Sequence, residues 1–414
     1  MAKTESARSK PIPPAEYARR RRAVATGLKG AVGVVFAGEH NPPLLGKWRT
    51  DRSFYYLTGL EDEAGAALLL DPGAEDPRRR EILFLRPLNP ELEAWDGYRA
   101  AISPQLKARY GFATIMRTSM LPRTLTQVAR QRGRLACLHP FSVYPAAPSP
   151  DLAVFRQVAE RAVGVAIEDH TNLLPALRAI KSPAELRLMQ AAGEATRRGF
   201  EAAMATIAPG VREAEVQQAV EAGFRSAGAS GPSFNTIVGA GENGTVLHYM
   251  ANDGVCEDGQ VVLIDCGALY DNYAADVTRV FPVSGKFTSD QADQYTIVLR
   301  AQEAAIKAIK PGARIGDIDA AARAVIDRAG FGDSYIHGIG HQLGLEVHDV
   351  TPDGPLQEGM VLTIEPGAYV RATGVGVRIE DDVLVTKAGA RVLTSDIPRT
   401  IRDVEAAMAG ARRK

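Results

Sequence analysis

The residues with chemistry to offer gather in the second half of the chain. Four of the seven histidines, His248, His337, His341 and His348, lie there among glycines and acids. The most telling segment runs Val261-Val262-Leu263-Ile264-Asp265-Cys266-Gly267-Ala268-Leu269-Tyr270-Asp271-Asn272-Tyr273-Ala274-Ala275-Asp276-Val277-Thr278. Its pattern predicts a strand, a turn centred on Asp271-Asn272 and a returning strand. With that turn, Tyr270 faces Tyr273, Gly267 faces Asp276 and Asp265 faces Thr278. Side chains alternate along a strand, so Asp265 and Asp276 share a face as diagonal neighbours roughly 7–8 Å apart, and Cys266 points the other way. Two carboxylates so placed can grip a common ion. A lone hairpin aspartate is usually exposed. Asp265, however, closes the run Val-Val-Leu-Ile, whose composition says buried, and a buried carboxylate needs a partner.

The segment His337-Gly338-Ile339-Gly340-His341-Gln342-Leu343-Gly344-Leu345-Glu346-Val347-His348-Asp349 comes next. His337 and His341 have the i, i+4 spacing of zinc-binding helices, but three glycines argue against a helix and the HExxH base is missing. A single histidine is more often a satisfied core residue than a ligand; three in one glycine-punctuated stretch point to a site. Glu365 closes the apolar run Met360–Ile364 ahead of Pro366-Gly367, at a strand end beside a sharp turn. Glu380 lies in a further strand on one face with Arg378 and Asp382. Asp381 and Asp382 are expected to be surface acids or partners in an edge-strand ion pair. Gly239-Ala240-Gly241-Glu242-Asn243-Gly244 satisfies GxGxxG, but the Thr-Val-Leu that follows is strand-like, not a helix start, so a nucleotide site is not expected.

These residues need a scaffold. Predicted elements are a helix over Pro14–Leu28, strands at Val32–Phe36, Ala66–Leu70, Ile82–Leu85 and Arg134–Leu138, and a helix over Leu121–Arg132. A domain boundary is placed after residue 172, giving domains 1–172 and 173–414. Ser182-Pro183-Ala184-Glu185 reads as a capping box opening a long helix that carries Leu186, Met189 and Phe200. Two more helices are expected at Arg212–Ala227 and Asp290–Lys310, with strands around Gln260–Val283 and Met360–Thr386.

At 414 residues the chain has room for two domains, and 45% hydrophobic with 24% charged residues suits an ordinary folded protein. Lysine plus arginine and aspartate plus glutamate both number 49, so no basic excess exists to hold nucleic acid. Arg19–Arg22 is expected to be the solvated face of a helix. Cys137, Cys256 and Cys266 form no CxxC pair and fit a reducing compartment, with the cytoplasm as default. The apolar stretch Ala31–Ala37 reads as a strand, not a signal peptide, and no run reaches the ~18–20 apolar residues of a membrane-spanning helix.

The combination of LIDCGALYDNYAADVTR, HGIGHQLGLEVHD, TIEPGAY and GVRIEDDVLVT resembles the aminopeptidase P and prolidase branch of the pita-bread metallopeptidases. Arg52–Leu60 and Glu93–Gly97 resemble that branch's N-terminal domain, so the likeness covers nearly the whole chain. It implies an α/β N-terminal domain before an α+β pita-bread catalytic domain. It also implies two divalent ions on Asp265, Asp276, His341, Glu365 and Glu380. Four carboxylates and a neutral imidazole match the charge of two such ions, and oxygen-rich ligation without thiolate suits manganese, with cobalt or zinc as alternatives. By the same resemblance Glu365 shuttles a proton, His337 and His348 line the pocket, His248 lies near the scissile nitrogen and Arg378 steadies a liganding aspartate. Tyr369 would contact that network. The implied activity is Xaa-Pro aminopeptidase, acting on proline-containing peptides, in a homo-oligomer of two or four chains. Two alternatives stand beside it. One is an Xaa-Pro dipeptidase, in which Arg371 clamps the substrate carboxylate; the other is a non-catalytic protein-binding relative. Trp95 is either simple core or an aromatic lid over a neighbouring subunit's pocket.

Overall fold

The computed structural model of the protein describes residues 10–39 and 48–411. It forms two compact units, one spanning Ile12–Arg178 and the other containing Ala179–Lys414. The division falls at the end of the Leu173–Ala179 helix, not at its start. That helix is tied to the first unit, where the Tyr56 hydroxyl donates to the Leu177 carbonyl and Arg178 donates to the Ser53 hydroxyl, each at 3.1 Å.

The first unit is built on strands β1 (Val32–Phe36), β2 (Ala67–Leu70), β3 (Glu81–Leu85), β4 (Thr114–Arg117), β5 (Arg134–Cys137) and β6 (Ala166–Asp169). They form one mixed sheet in the order β4-β3-β2-β1-β5-β6. Val32, Val34, Leu69, Phe84, Leu135 and Phe155 lie in its core, each fully buried large side chain contributing roughly 1.5–3 kcal/mol. Arg19–Arg22 departs from expectation. Arg20 and Arg21 are buried, Arg20 stacking on Tyr56 and donating to its carbonyl, and Arg21 stacking on Phe112 while pairing with Glu81. Guanidinium planes stack on rings and satisfy carbonyls, which a pattern of polar and apolar letters cannot reveal. Trp95 is not core: it is 87% exposed, beside Tyr98 at 94%.

In the second unit the strands are β7 (Gly231–Pro232), β8 (Ile237–Ala240), β9 (Val261–Cys266), β10 (Ala268–Tyr270), β11 (Tyr273–Ala274) and β12 (Val277–Pro282). They are followed by β13 (Val361–Ile364), β14 (Gly367–Val370), β15 (Val375–Arg378), β16 (Asp381–Thr386) and β17 (Gly389–Val392). Short sheets result, in the orders β12-β9-β8, β11-β10-β7, β13-β16-β17 and β14-β15. Helices pack against them: Pro183–Thr206, Glu213–Ser226 and Ser289–Ala308, with Ile315–Arg328 and Ile401–Ala411 in addition to those expected. The Ser182 capping box forms, and Leu188 takes the buried position in place of Leu186.

Asp381 and Asp382 correct a second expectation. β16 lies between β13 and β17, and both aspartates are buried. Asp381 pairs with Arg279 at 2.7 Å, both side chains fully enclosed. The strand expected to carry Arg378, Glu380 and Asp382 is split at Ile379–Glu380, so β15 and β16 belong to different sheets.

Candidate active site

The β9 to β12 hairpin has the register its residues demand. Tyr270 pairs with Tyr273 and Asp265 with Thr278. Asp271 and Asn272 take φ of 45° and 71°, the left-handed conformations of a tight turn that these residue types tolerate. At Gly267 a Cβ would lie 1.7 Å from the Ala275 carbonyl oxygen, so only glycine lets the chains approach there. Asp276 follows that crossing and turns inward beside Asp265.

The histidine segment is irregular, as its glycines require, and is laced onto β13. The Thr363 hydroxyl accepts from the His341 N–H at 3.0 Å, the Thr363 N–H donates to the His341 carbonyl at 2.9 Å, and the Glu365 N–H donates to Ile339 at 2.9 Å. His341 and Glu365 are thereby set side by side. Ligand atoms of Asp276, His341 and Glu380 all lie within 4.8 Å of one another. His341 Nδ1 faces the Gln342 carbonyl at 3.0 Å and so carries the hydrogen. Its Nε2 is turned to Asp276 Oδ2 and Glu365 Oε1, 3.5 Å from each.

A second layer holds these groups. Arg378 donates from Nη2 to Asp265 at 2.6 Å, from Nε to the Thr278 hydroxyl at 2.9 Å and from Nη1 to the Tyr369 hydroxyl at 2.9 Å. Thr278 in turn donates to Glu380 Oε2 at 2.6 Å. His337 Nδ1 meets the Gly338 carbonyl at 2.8 Å, so its Nε2, 2.9 Å from the Tyr369 oxygen, accepts the tyrosine proton. Burial lowers the His337 pKa to about 4, so the ring is neutral at pH 7.

The acids are electrostatically crowded. Burial pushes the Asp276 and Glu380 carboxyls well above the carboxylate range, and repulsion from neighbouring acids adds to it. Glu365 is raised by burial too, against the opposing pull of Arg378. Asp265 Oδ1 and Asp276 Oδ1 are buried with no hydrogen-bond partner. Orphaned carboxylate oxygens in a cluster of acids, with an imidazole lone pair among them, fit a site for divalent cations.

A cavity of about 570 Å³ opens over this cluster. It is lined by Asp265, Asp276, His341, Glu365 and Glu380, by His248, His337, His348 and Arg378, and by an apolar wall of Phe234, Ile237, Leu247, Met250 and Val347. Tyr369 is buried behind His337 and Arg378. Arg371 is not brought to the cavity lining. It is largely exposed and pairs with Glu242 at 2.7 Å, because the short turn after β14 sends it outward. Sequence reasoning missed Thr278 and Thr363 as supports, although the hairpin register already set Thr278 opposite Asp265. The glycine-rich Gly239–Gly244 stretch leads from β8 into a short 3₁₀ turn over Gly241–Thr245, neither a strand nor a helix start.

Residues 187–387 match metallopeptidase family M24, and residues 17–136 match the aminopeptidase P N-terminal domain. The Xaa-Pro aminopeptidase of Haemophilus influenzae is 34% identical over 95% of this chain and 97% of its own length. The solved structure of Pseudomonas aeruginosa aminopeptidase PepP superimposes with a TM-score of 0.86 at 32% identity, covering 98% of this chain and 100% of that one. The Xaa-Pro dipeptidase of Pyrococcus furiosus is 41% identical, but over 54% of this chain and 65% of its own. The chain belongs to metallopeptidase family M24, with an N-terminal domain of the aminopeptidase P type and a pita-bread catalytic domain.

Proposed function

We propose that the protein is a dinuclear-metal Xaa-Pro aminopeptidase, removing the N-terminal residue that precedes proline. The observation that carries this reading is the convergence of Asp276, His341 and Glu380 in one cavity with Asp265 and Glu365. Relatives of that activity spanning almost the whole chain add support. In this reading Asp265, Asp276, His341, Glu365 and Glu380 hold two divalent cations. Those ions, when bound, supply Lewis acidity that polarises a peptide carbonyl and makes water nucleophilic near neutral pH. Four carboxylates, one imidazole and no thiolate favour manganese.

The remaining steps fall to the chain's own groups. Glu365, raised in pKa by burial, takes a proton from the attacking water at its carboxylate and delivers it to the proline nitrogen as that nitrogen leaves. His248 and His348 orient the substrate from the cavity wall, and the apolar face of Phe234, Ile237 and Val347 accommodates the prolyl ring. Neutral His337, both ring nitrogens engaged by Gly338 and Tyr369, forms a fixed part of the cavity wall beside the substrate. Arg378 keeps Asp265 oriented. The Xaa-Pro dipeptidase reading is weaker, since Arg371 pairs with Glu242 away from the cavity.

Three buried free thiols support a reducing, cytoplasmic setting. Among the described residues, no helix is long and apolar enough to cross a membrane. Exposed Trp95 and Tyr98 support assembly into a homo-oligomer. The deciding experiment offers the manganese-loaded protein an Xaa-Pro dipeptide, an Xaa-Pro-Yaa tripeptide and a matched tripeptide without proline. Release of Xaa from the proline tripeptide is expected. Cleavage of the dipeptide alone would favour the dipeptidase, and indifference to proline would remove the substrate assignment.

A further inference from the structure

One buried acid outside the cavity has no part in the chemistry above. Glu213 opens the Glu213–Ser226 helix and is fully buried. Its Oε1 accepts from the Ala240 N–H at 2.7 Å and from Asn243 Nδ2 at 3.0 Å. Its Oε2 accepts from the Gly254 N–H at 2.7 Å and lies 3.0 Å from the Tyr249 hydroxyl, whose one proton it shares with Asp253 Oδ1 at 2.6 Å. All four partners come from one stretch of chain, residues 240–254. Glu213's own N–H donates to the Gly254 carbonyl at 3.0 Å, closing the far end. A Cβ at Gly254 would stand 2.9 Å from the Glu213 carboxyl carbon, so a side chain there would collide with the clamp.

That stretch carries Leu247, His248 and Met250 into the cavity lining. Beyond its 3₁₀ turn it has no regular structure up to residue 254, and Val246 and Met250 are 51% and 57% exposed. Leu247 packs partly buried against the core, and apart from it apolar burial does little to hold the stretch. Asn252 adds a fastening, accepting from the Val238 N–H at 2.9 Å and donating to the Thr236 carbonyl at 2.8 Å, but the start, middle and end of the stretch all meet on Glu213. We propose that Glu213 is a positioning residue that clamps residues 240–254 and so sets His248 in the cavity; the catalytic part of this inference rests on the activity proposed above. A glutamate is required because both oxygens must accept. Glutamine accepts at one end only and turns an NH₂ toward a backbone N–H at the other.

Glu213→Gln in the metal-loaded protein should lower kcat/KM roughly a hundredfold, as for a catalytic group displaced by about 1 Å, with metal content unchanged. In a His248→Ala background the same change should add less than about threefold, because the group it positions is already gone. Hydrogen exchange, read without substrate, should quicken at least about tenfold over residues 240–254 and stay unchanged in the Pro183–Thr206 helix. An undiminished loss in the His248→Ala background, or unaltered exchange over 240–254, overturns the proposal. If Glu213→Gln does not fold, Tyr249→Phe removes the hydroxyl that touches both Glu213 and Asp253 and is read by the same cycle and the same exchange. Should the wild-type chain cleave no Xaa-Pro bond, the activity assignment fails alone, and exchange still decides whether Glu213 is the clamp.

Discussion

The Thr278 hydroxyl is bound at both ends: it donates to Glu380 Oε2 at 2.6 Å and accepts from Arg378 Nε at 2.9 Å. Its one proton goes to the carboxylate and its lone pair to the guanidinium, so the hydroxyl sets the orientation of both.

Thr278→Val keeps the shape and removes the link. A buried carboxylate oxygen and a guanidinium N–H lose their partner together, at about 1–3 kcal/mol of stability. Metal affinity should fall by roughly 10–100-fold. Calorimetric titration of manganese into the metal-free variant checks this, and wild-type affinity would mean that Glu380 is held by something else.

His337 should titrate near pH 4, its pKa lowered to about 4 chiefly by burial, and should carry its hydrogen on Nδ1 at neutral pH. Nitrogen NMR of the imidazoles reads both. Tyr369→Phe removes the hydroxyl that joins His337 to Arg378 and should cost roughly 10–100-fold in activity. A midpoint in the ordinary histidine range would refute the buried, neutral assignment.

The crowded acids give the metal-free protein a distinctive pH dependence. The folded pKa values of Asp276 and Glu380 are raised, by burial first and by neighbouring acids second. The folded state therefore binds more protons than the unfolded one, and these groups weaken the fold as pH rises from about 4, the unfolded carboxyl value, through the folded values. Chelator-treated wild-type protein should lose melting temperature over that window faster than Asp276→Asn, and added manganese should stabilise it most at the upper end. Parallel curves for the two proteins would count against the crowding.

Arg279 and Asp381 form a fully enclosed ion pair directly behind the site. Arg279 also donates to the carbonyls of Glu380 and Thr278. Asp381→Ala leaves that guanidinium buried without its carboxylate and should cost about 3–5 kcal/mol. Denaturant unfolding measures it, and a loss below about 1 kcal/mol would show that the pair behaves as a surface one.

The hairpin register was written in local letters: Asp271-Asn272 admits a left-handed turn, and once the turn is set the period of two forces Asp265 and Asp276 onto one face. Glycines in the histidine segment excluded a helix there, and Ser182 with Glu185 announced the long helix. Such features depend on neighbours in the chain, so a chain can state them. Whether Asp381 is a surface acid or the buried partner of Arg279, and whether Arg20 faces water or stacks on Tyr56, depends on residues 102 and 36 positions away. No local pattern encodes them. Arg371 shows the same limit: its loop was readable, but its direction, toward Glu242 and away from the cavity, was settled by a turn packed against a distant segment. Chemistry was legible where its groups lie in short motifs, whereas the closing of those motifs around one cavity comes from long-range packing, the physical term that only folding in three dimensions expresses.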